Sequence, residues 1–183
     1  MLVLQEIFGY ILIGFIMAAA LAVLYLPVFL LLRKKVAFAR QIVYFGLGVC
    51  IIVILSATVL IGFTVVPANN RVVNLVPFKV FTNSWEMGLV KQFTQTLANV
   101  IMFVPLGFIF PVTFARCRRL YKTTIYMAAF SFLIEFVQYF TGRSCDIDDL
   151  MLNTLGGVLG YGLFVLISKL FGNKEFWKKM AGL

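Results

Sequence analysis

The chain contains no histidine, and only seven of its 183 residues are acidic. Without imidazole there is no side chain that titrates near neutral pH in its ordinary state and no histidine metal site. The three cysteines, Cys50, Cys117 and Cys145, are dispersed, and their spacing gives neither a disulfide framework nor a zinc ligand set. A Gly-rich phosphate loop and a Gly-x-Ser-x-Gly nucleophile elbow are also missing. What fills the chain instead is grease: 62% of it is hydrophobic and its mean hydropathy is +1.02. Long apolar runs at that density belong to a protein that crosses a bilayer.

Apolar runs fall at roughly 7–32, 42–66, 98–114, 123–140 and 151–171. They predict an all-α integral membrane protein of about five transmembrane helices. The first run opens with Gln5 and Glu6 rather than a basic stretch, so it reads as a span and not as a signal peptide. The net charge of +9 does not point to nucleic acid, because the basic residues cluster at the ends of apolar runs. Arg33, Lys34, Lys35 and Arg40 fall on one side, with Arg116, Arg118, Arg119 and Lys122, then Lys169, Lys174, Lys178 and Lys179. The other side receives only Arg71, Lys79, Lys91 and Arg143. Lys and Arg mark the cytoplasmic face, which puts the N-terminus outside and the C-terminus in the cytoplasm. The long segment 67–97 is then external and is expected to fold over the bundle mouth, and its second half, with Trp85, Phe93 and Leu97, suits an interfacial amphipathic helix.

The scarce acids are not scattered. Asp146, Asp148 and Asp149 crowd into "GRSCDIDDLMLNTLGG", at the external start of the last span. Helical spacing puts Asp149 and Asn153 on one face of that span, and Ser131, Glu135 and Gln138 on one face of the span before it. Gln92, Gln95 and Asn99 line the approach to the third span. These faces converge if the helices pack closely, which Gly156 and Gly160, four residues apart, favour. Glu135 lies about five residues, or roughly 8 Å of helix rise, inside the outer end of its span. An ionisable group at that depth costs about 2–3 kcal/mol and faces a partner or a wet cavity. Arg143 is its natural partner, and the pair reads either as a structural corner or as part of a site. The aspartates have a bland reading as well, as first-turn acids that cap a helix.

No known template settles the chemistry. Counted from Asp146, the sixth and twelfth places of a calcium loop hold Met151 and Gly157, and a DDxxD motif fails at Leu152. The cluster could hold a hard divalent cation through oxygen ligands, although no specific motif indicates one. It could equally pair Glu135 with an aspartate for acid–base work, or grip a polar head group.

Taken in order, "NLVPF" (74–78), "LANVIMFVPLGFIFP" (97–111) and "SFLIEFVQYFTGRSCDIDDLMLNTLGGVLGYG" (131–162) resemble the VanZ-like membrane family. The resemblance divides the chain into an N-terminal helix and basic loop (1–40), a VanZ-like domain (41–171, densest over 74–162) and a basic tail (172–183). It implies a bacterial plasma-membrane protein whose polar signature is Asn99, Glu135, Gln138, Arg143, Asp146, Asp149 and Asn153, with Asp148 lying between signature positions. Glu135, Asp146 and Asp149 are then the catalytic candidates, and Asn99, Gln138, Arg143, Asn153 and Asp148 the binding ones. The family is named for a protein that lowers susceptibility to teicoplanin, an antibiotic with a lipid tail. Membrane lipids and a lipid-linked wall precursor or lipoglycopeptide are therefore the implied partners. A membrane enzyme acting on an envelope substrate and a non-catalytic scaffold stand as alternatives.

Overall fold

The computed structural model describes residues 2–60, 67, 73–79, 89–141 and 144–182. Arg143, and within the 67–97 segment residues 68–72 and 80–88, Trp85 among them, lie outside the described residues. Helix α1 spans Leu2–Leu32, and α2 spans Phe38–Leu55 and runs into a single π-helical turn, Ser56–Leu60. Helices α3 (Leu89–Thr113), α4 (Leu120–Gln138), α5 (Ile147–Phe171) and the short α6 (Glu175–Ala181) follow. Strands β1 (Val73–Asn74) and β2 (Cys145–Asp146) pair in parallel, Val73 opposite Cys145 and Asn74 opposite Asp146.

Five of the helices are long and apolar enough to cross a membrane, as the hydropathy pattern predicts. Helix α3 starts at Leu89, well before the apolar run at 98, because the polar residues of its first turns interrupt the run without interrupting the helix. Burial is inverted relative to a soluble protein. Phe15 (73% exposed), Leu31 (77%), Phe132 and Phe136 face outward, while Ser131, Glu135, Gln138 and Asn153 are buried. Lipid is the solvent that makes this arrangement stable, since apolar side chains cost nothing against acyl chains and polar ones do.

Helix α5 is the centre of the bundle and packs mainly on α3 and α4, while α1 leans chiefly on α2. Glycine sets the α3–α5 distance. A methyl added at Gly156 would run into the Val100 carbonyl, and one at Gly107 would stand 2.6 Å from the Gly157 Cα. In lipid, where no hydrophobic force drives helices together, such backbone contact supplies dispersion energy. Phe103, Leu106, Met127, Ile134 and Ile54 fill one core cluster, and Val43, Val112, Phe164, Trp177 and Ala181 the other.

At the basic end, two arginines close the bundle. Arg40 donates from Nη1 to the carbonyls of Val112 (2.7 Å) and Met180 (2.8 Å), and from Nη2 to that of Thr113 (2.5 Å). Its Nε reaches the Tyr44 hydroxyl at 3.2 Å. Arg118 donates to the carbonyls of Pro111 (3.2 Å) and Ala181. Most of these acceptors are last-turn carbonyls of α3 and α6, which helix geometry leaves without an intrahelical partner and which carry the negative end of the dipole. Burial, and then the neighbouring Arg40 charge, lowers the Arg118 pKa from its ordinary value, yet a guanidinium keeps its proton. Arg40→Ala is expected to cost about 2–3 kcal/mol, on the scale of charge-assisted hydrogen bonds. Arg40→Lys is expected to recover only part of that, because one ammonium cannot reproduce the planar fork. Thermal unfolding of the detergent-solubilised protein, followed by circular dichroism, measures both.

Candidate functional site

The other end of α5 is where the acids meet. Asp146 has an extended backbone and caps the helix, its Oδ1 accepting the Asp148 N–H at 2.9 Å. The capping reading therefore holds for this residue, but it accounts for only part of what the carboxylate does. Both its oxygens also accept from Asn74 Nδ2, at 2.9 and 3.0 Å, alongside the β1–β2 pairing. Two residues on, the buried Asp148 (4% exposed) accepts the Phe78 N–H at 2.5 Å. Phe78 has φ of 64°, a left-handed conformation that costs a bulky residue about 1–2 kcal/mol. The Asn-Leu-Val-Pro-Phe segment is thus a strap over the N-terminus of α5, fastened by one strand pair and two carboxylates.

Beneath the strap, three helices bring their polar faces together. Asn99 of α3 donates from Nδ2 to Asp149 Oδ1 of α5 at 2.6 Å. Glu135 of α4, 3% exposed, accepts the Asp146 N–H on Oε2 at 2.7 Å. Asn153 of α5 donates to the Ser131 hydroxyl of α4 at 2.9 Å. Gln138 of α4 donates from Nε2 to the Thr58 carbonyl at 2.9 Å, within the π turn that ends α2. Two amide oxygens, Asn153 Oδ1 and Gln138 Oε1, are buried with no hydrogen-bond partner among the described residues.

Of the residues that the sequence offers as catalytic or binding candidates, seven are brought into this network, Asn99, Glu135, Gln138, Asp146, Asp148, Asp149 and Asn153, and Ser131 of the same predicted polar face joins them. Arg143, the expected partner of Glu135, lies outside the described residues. Asp148, which the family signature leaves between positions, is as deeply set as the others. Three participants escaped the sequence reading as site residues. Asn74 was visible only as the first letter of a resembling motif, Phe78 contributes a main-chain N–H, and Thr58 contributes a main-chain carbonyl.

Chemically, the cluster is a set of acceptors held in place by fixed donors. Among the described residues, no three acidic or cysteine side chains stand close enough to share a metal ion. Burial pushes the Cys145 thiol pKa up, and the nearby Glu135 and Asp146 charges add to that. The thiol is therefore protonated and weakly nucleophilic near neutral pH. Among the described residues, two grooves lie elsewhere, one between α1 and α2 and one where α5 meets α6.

A family model described as VanZ/LLP1 matches residues 41–168 of the chain. Over 108 residues the chain is 32% identical to Protein VanZ of Enterococcus faecium, an alignment that covers 58% of this chain and 61% of that protein. The chain thus spans about three fifths of that relative's length. No solved structure matches.

Proposed function

Taking as premise that the chain belongs to the VanZ/LLP1 family, we propose that this multi-pass membrane protein acts at the bacterial cell envelope. Its polar end faces outward and lowers the effect of teicoplanin-type lipoglycopeptides on lipid-linked wall precursors. The charge bias supports that orientation, since the basic clusters gather at the opposite end of the bundle. The observation that carries the reading is the amide–carboxylate network under the Asn74–Phe78 strap, with its two unspent buried acceptors on Asn153 and Gln138. Peptide N–H and sugar hydroxyl groups, which both wall precursors and glycopeptides carry, are the donors that match an acceptor-rich cluster of this kind.

Susceptibility testing decides it. In a sensitive host without the gene, the wild-type chain is expected to raise the teicoplanin concentration needed to stop growth, with a smaller change for vancomycin. Glu135→Gln and Asp149→Asn, present at wild-type level in the membrane, are expected to lose the effect. An expressed wild-type protein that shifts neither drug overturns the proposal. Variants that vanish from the membrane instead identify the network as internal glue.

A second reading, a membrane enzyme modifying an envelope substrate, draws on one observation: Glu135 is a carboxyl group set within an apolar helix, where environment tunes acid–base groups. Mass spectra of lipid-linked precursors from cells with and without the chain separate the two readings, because only the enzyme changes a mass.

A further inference from the structure

Far from the acid cluster, the junction of α5 and α6 forms a groove of about 560 Å³ lined by Ile167, Phe171, Lys174, Phe176, Trp177 and Met180. Five of the six lining side chains are apolar, and the sixth is a lysine. The volume falls within the roughly 300–1,000 Å³ of ordinary ligand pockets. The groove sits where span α5 ends, at Phe171, and therefore at the edge of the bilayer.

We propose that this groove binds one acyl chain of an acidic phospholipid, with the lipid phosphate on the Lys174 ammonium. Charge complementarity selects the acidic lipid. Lys169, Lys174 and Lys178 all lie within a few residues of the groove, and the one acid of α6, Glu175, is already paired with Lys179 at 3.0 Å. The floor is packed into the bundle. Trp177 is buried and packs its ring against Phe108 and Phe164, both at 6.3 Å. Arg40 and Arg118 hold the end of α6 to the bundle through the Met180 and Ala181 carbonyls. A single acyl chain satisfies the apolar walls, and a phosphate at the mouth pairs with the lysine in full only where no head-group cation offsets it, as the choline of a zwitterionic lipid does. The assignment is independent of what the polar end does.

Trp177 is a built-in reporter, since the sequence holds one other tryptophan, Trp85. In a Trp85→Phe protein reconstituted into phosphatidylcholine vesicles, a small fraction of phosphatidylglycerol with brominated acyl chains is expected to quench Trp177 fluorescence. Brominated phosphatidylcholine at the same fraction is expected to quench far less. Half-quenching is expected at a roughly fivefold lower fraction of the acidic lipid, equivalent to the attraction of about one lysine. Lys174→Gln is expected to abolish the difference, Lys174→Arg to keep it, and Lys169→Gln, outside the groove lining, to leave it unchanged. Equal quenching by the two lipids overturns the proposal, as does a preference that survives Lys174→Gln. A preference lost equally in Lys169→Gln reduces it to diffuse surface charge and overturns it too.

Discussion

Replacing Gly160 with leucine is expected to leave almost no folded protein in the membrane fraction. A Cβ at this position would meet the Val104 carbonyl and stand 2.7 Å from the Phe108 nitrogen and 2.9 Å from the Gly107 carbonyl carbon. All three atoms are backbone, so no rotamer change relieves the clash, and α3 and α5 must separate. Overpacking a well-filled core costs about 1–3 kcal/mol when side chains can give way, and here they cannot. Gly160→Ala carries the same first clash with less bulk behind it and is expected to lower the melting temperature while leaving some protein folded. Gly162 is the internal control, because a Cβ there meets nothing within 4 Å. Gly162→Ala is expected to be neutral or to stabilise the protein by up to about 1 kcal/mol through helix propensity. Membrane yield and thermal unfolding in detergent measure the series, and equal behaviour at 160 and 162 would contradict the close α3–α5 packing.

The second large effect is expected at Asp146. Asp146→Ala removes the α5 cap and both hydrogen bonds from Asn74 together. A lost cap costs about 1 kcal/mol, and a hydrogen bond to a charged group about 1.5–3 kcal/mol, so a total near 3–4 kcal/mol is expected. Asp146→Asn keeps one oxygen for the cap and is expected to cost about half as much, on the same scales. Asn74→Ala is expected to cost less than Asp146→Ala, and the double variant no more than Asp146→Ala alone, because the pair shares one interaction. Full additivity of the two single effects would show that the strap is not fastened by this pair.

The sequence carried the helices and the polar faces for one reason. In lipid, a polar side chain must turn inward, so its position along the helix reports which side packs. Asp149 and Asn153, or Ser131, Glu135 and Gln138, therefore fall on common faces by spacing alone, and the bonds from Asn99 to Asp149 and from Asn153 to Ser131 follow from those faces. That a segment of 67–97 covers this end was expected, but how it is fastened was not legible. Two-residue strands have no periodicity, and Asn74 lies 72 residues from Asp146. The Gln138 contact to Thr58 was hidden for a different reason, because its acceptor is a carbonyl in a π turn that no side-chain pattern announces. Arg40 and Arg118 were legible only as charges marking a face. That the same two side chains tie helix ends together depends on where α6 comes to rest, and composition says nothing of that.

The separation of Asn74 from Asp146 also bears on how the protein assembles. The strap leaves the ribosome before α3 and α4, and its partner arrives only with the start of α5. Until then, Asn74 and the Phe78 amide must be satisfied by water, since their carboxylate acceptors do not yet exist. Closing so long a loop is entropically costly and slow compared with the local turns that form each helix. The fastening of the strap is thus a late step, taken after the last span is inserted. An amide-exchange signal from Phe78 would time the completion of the bundle rather than the birth of any one helix.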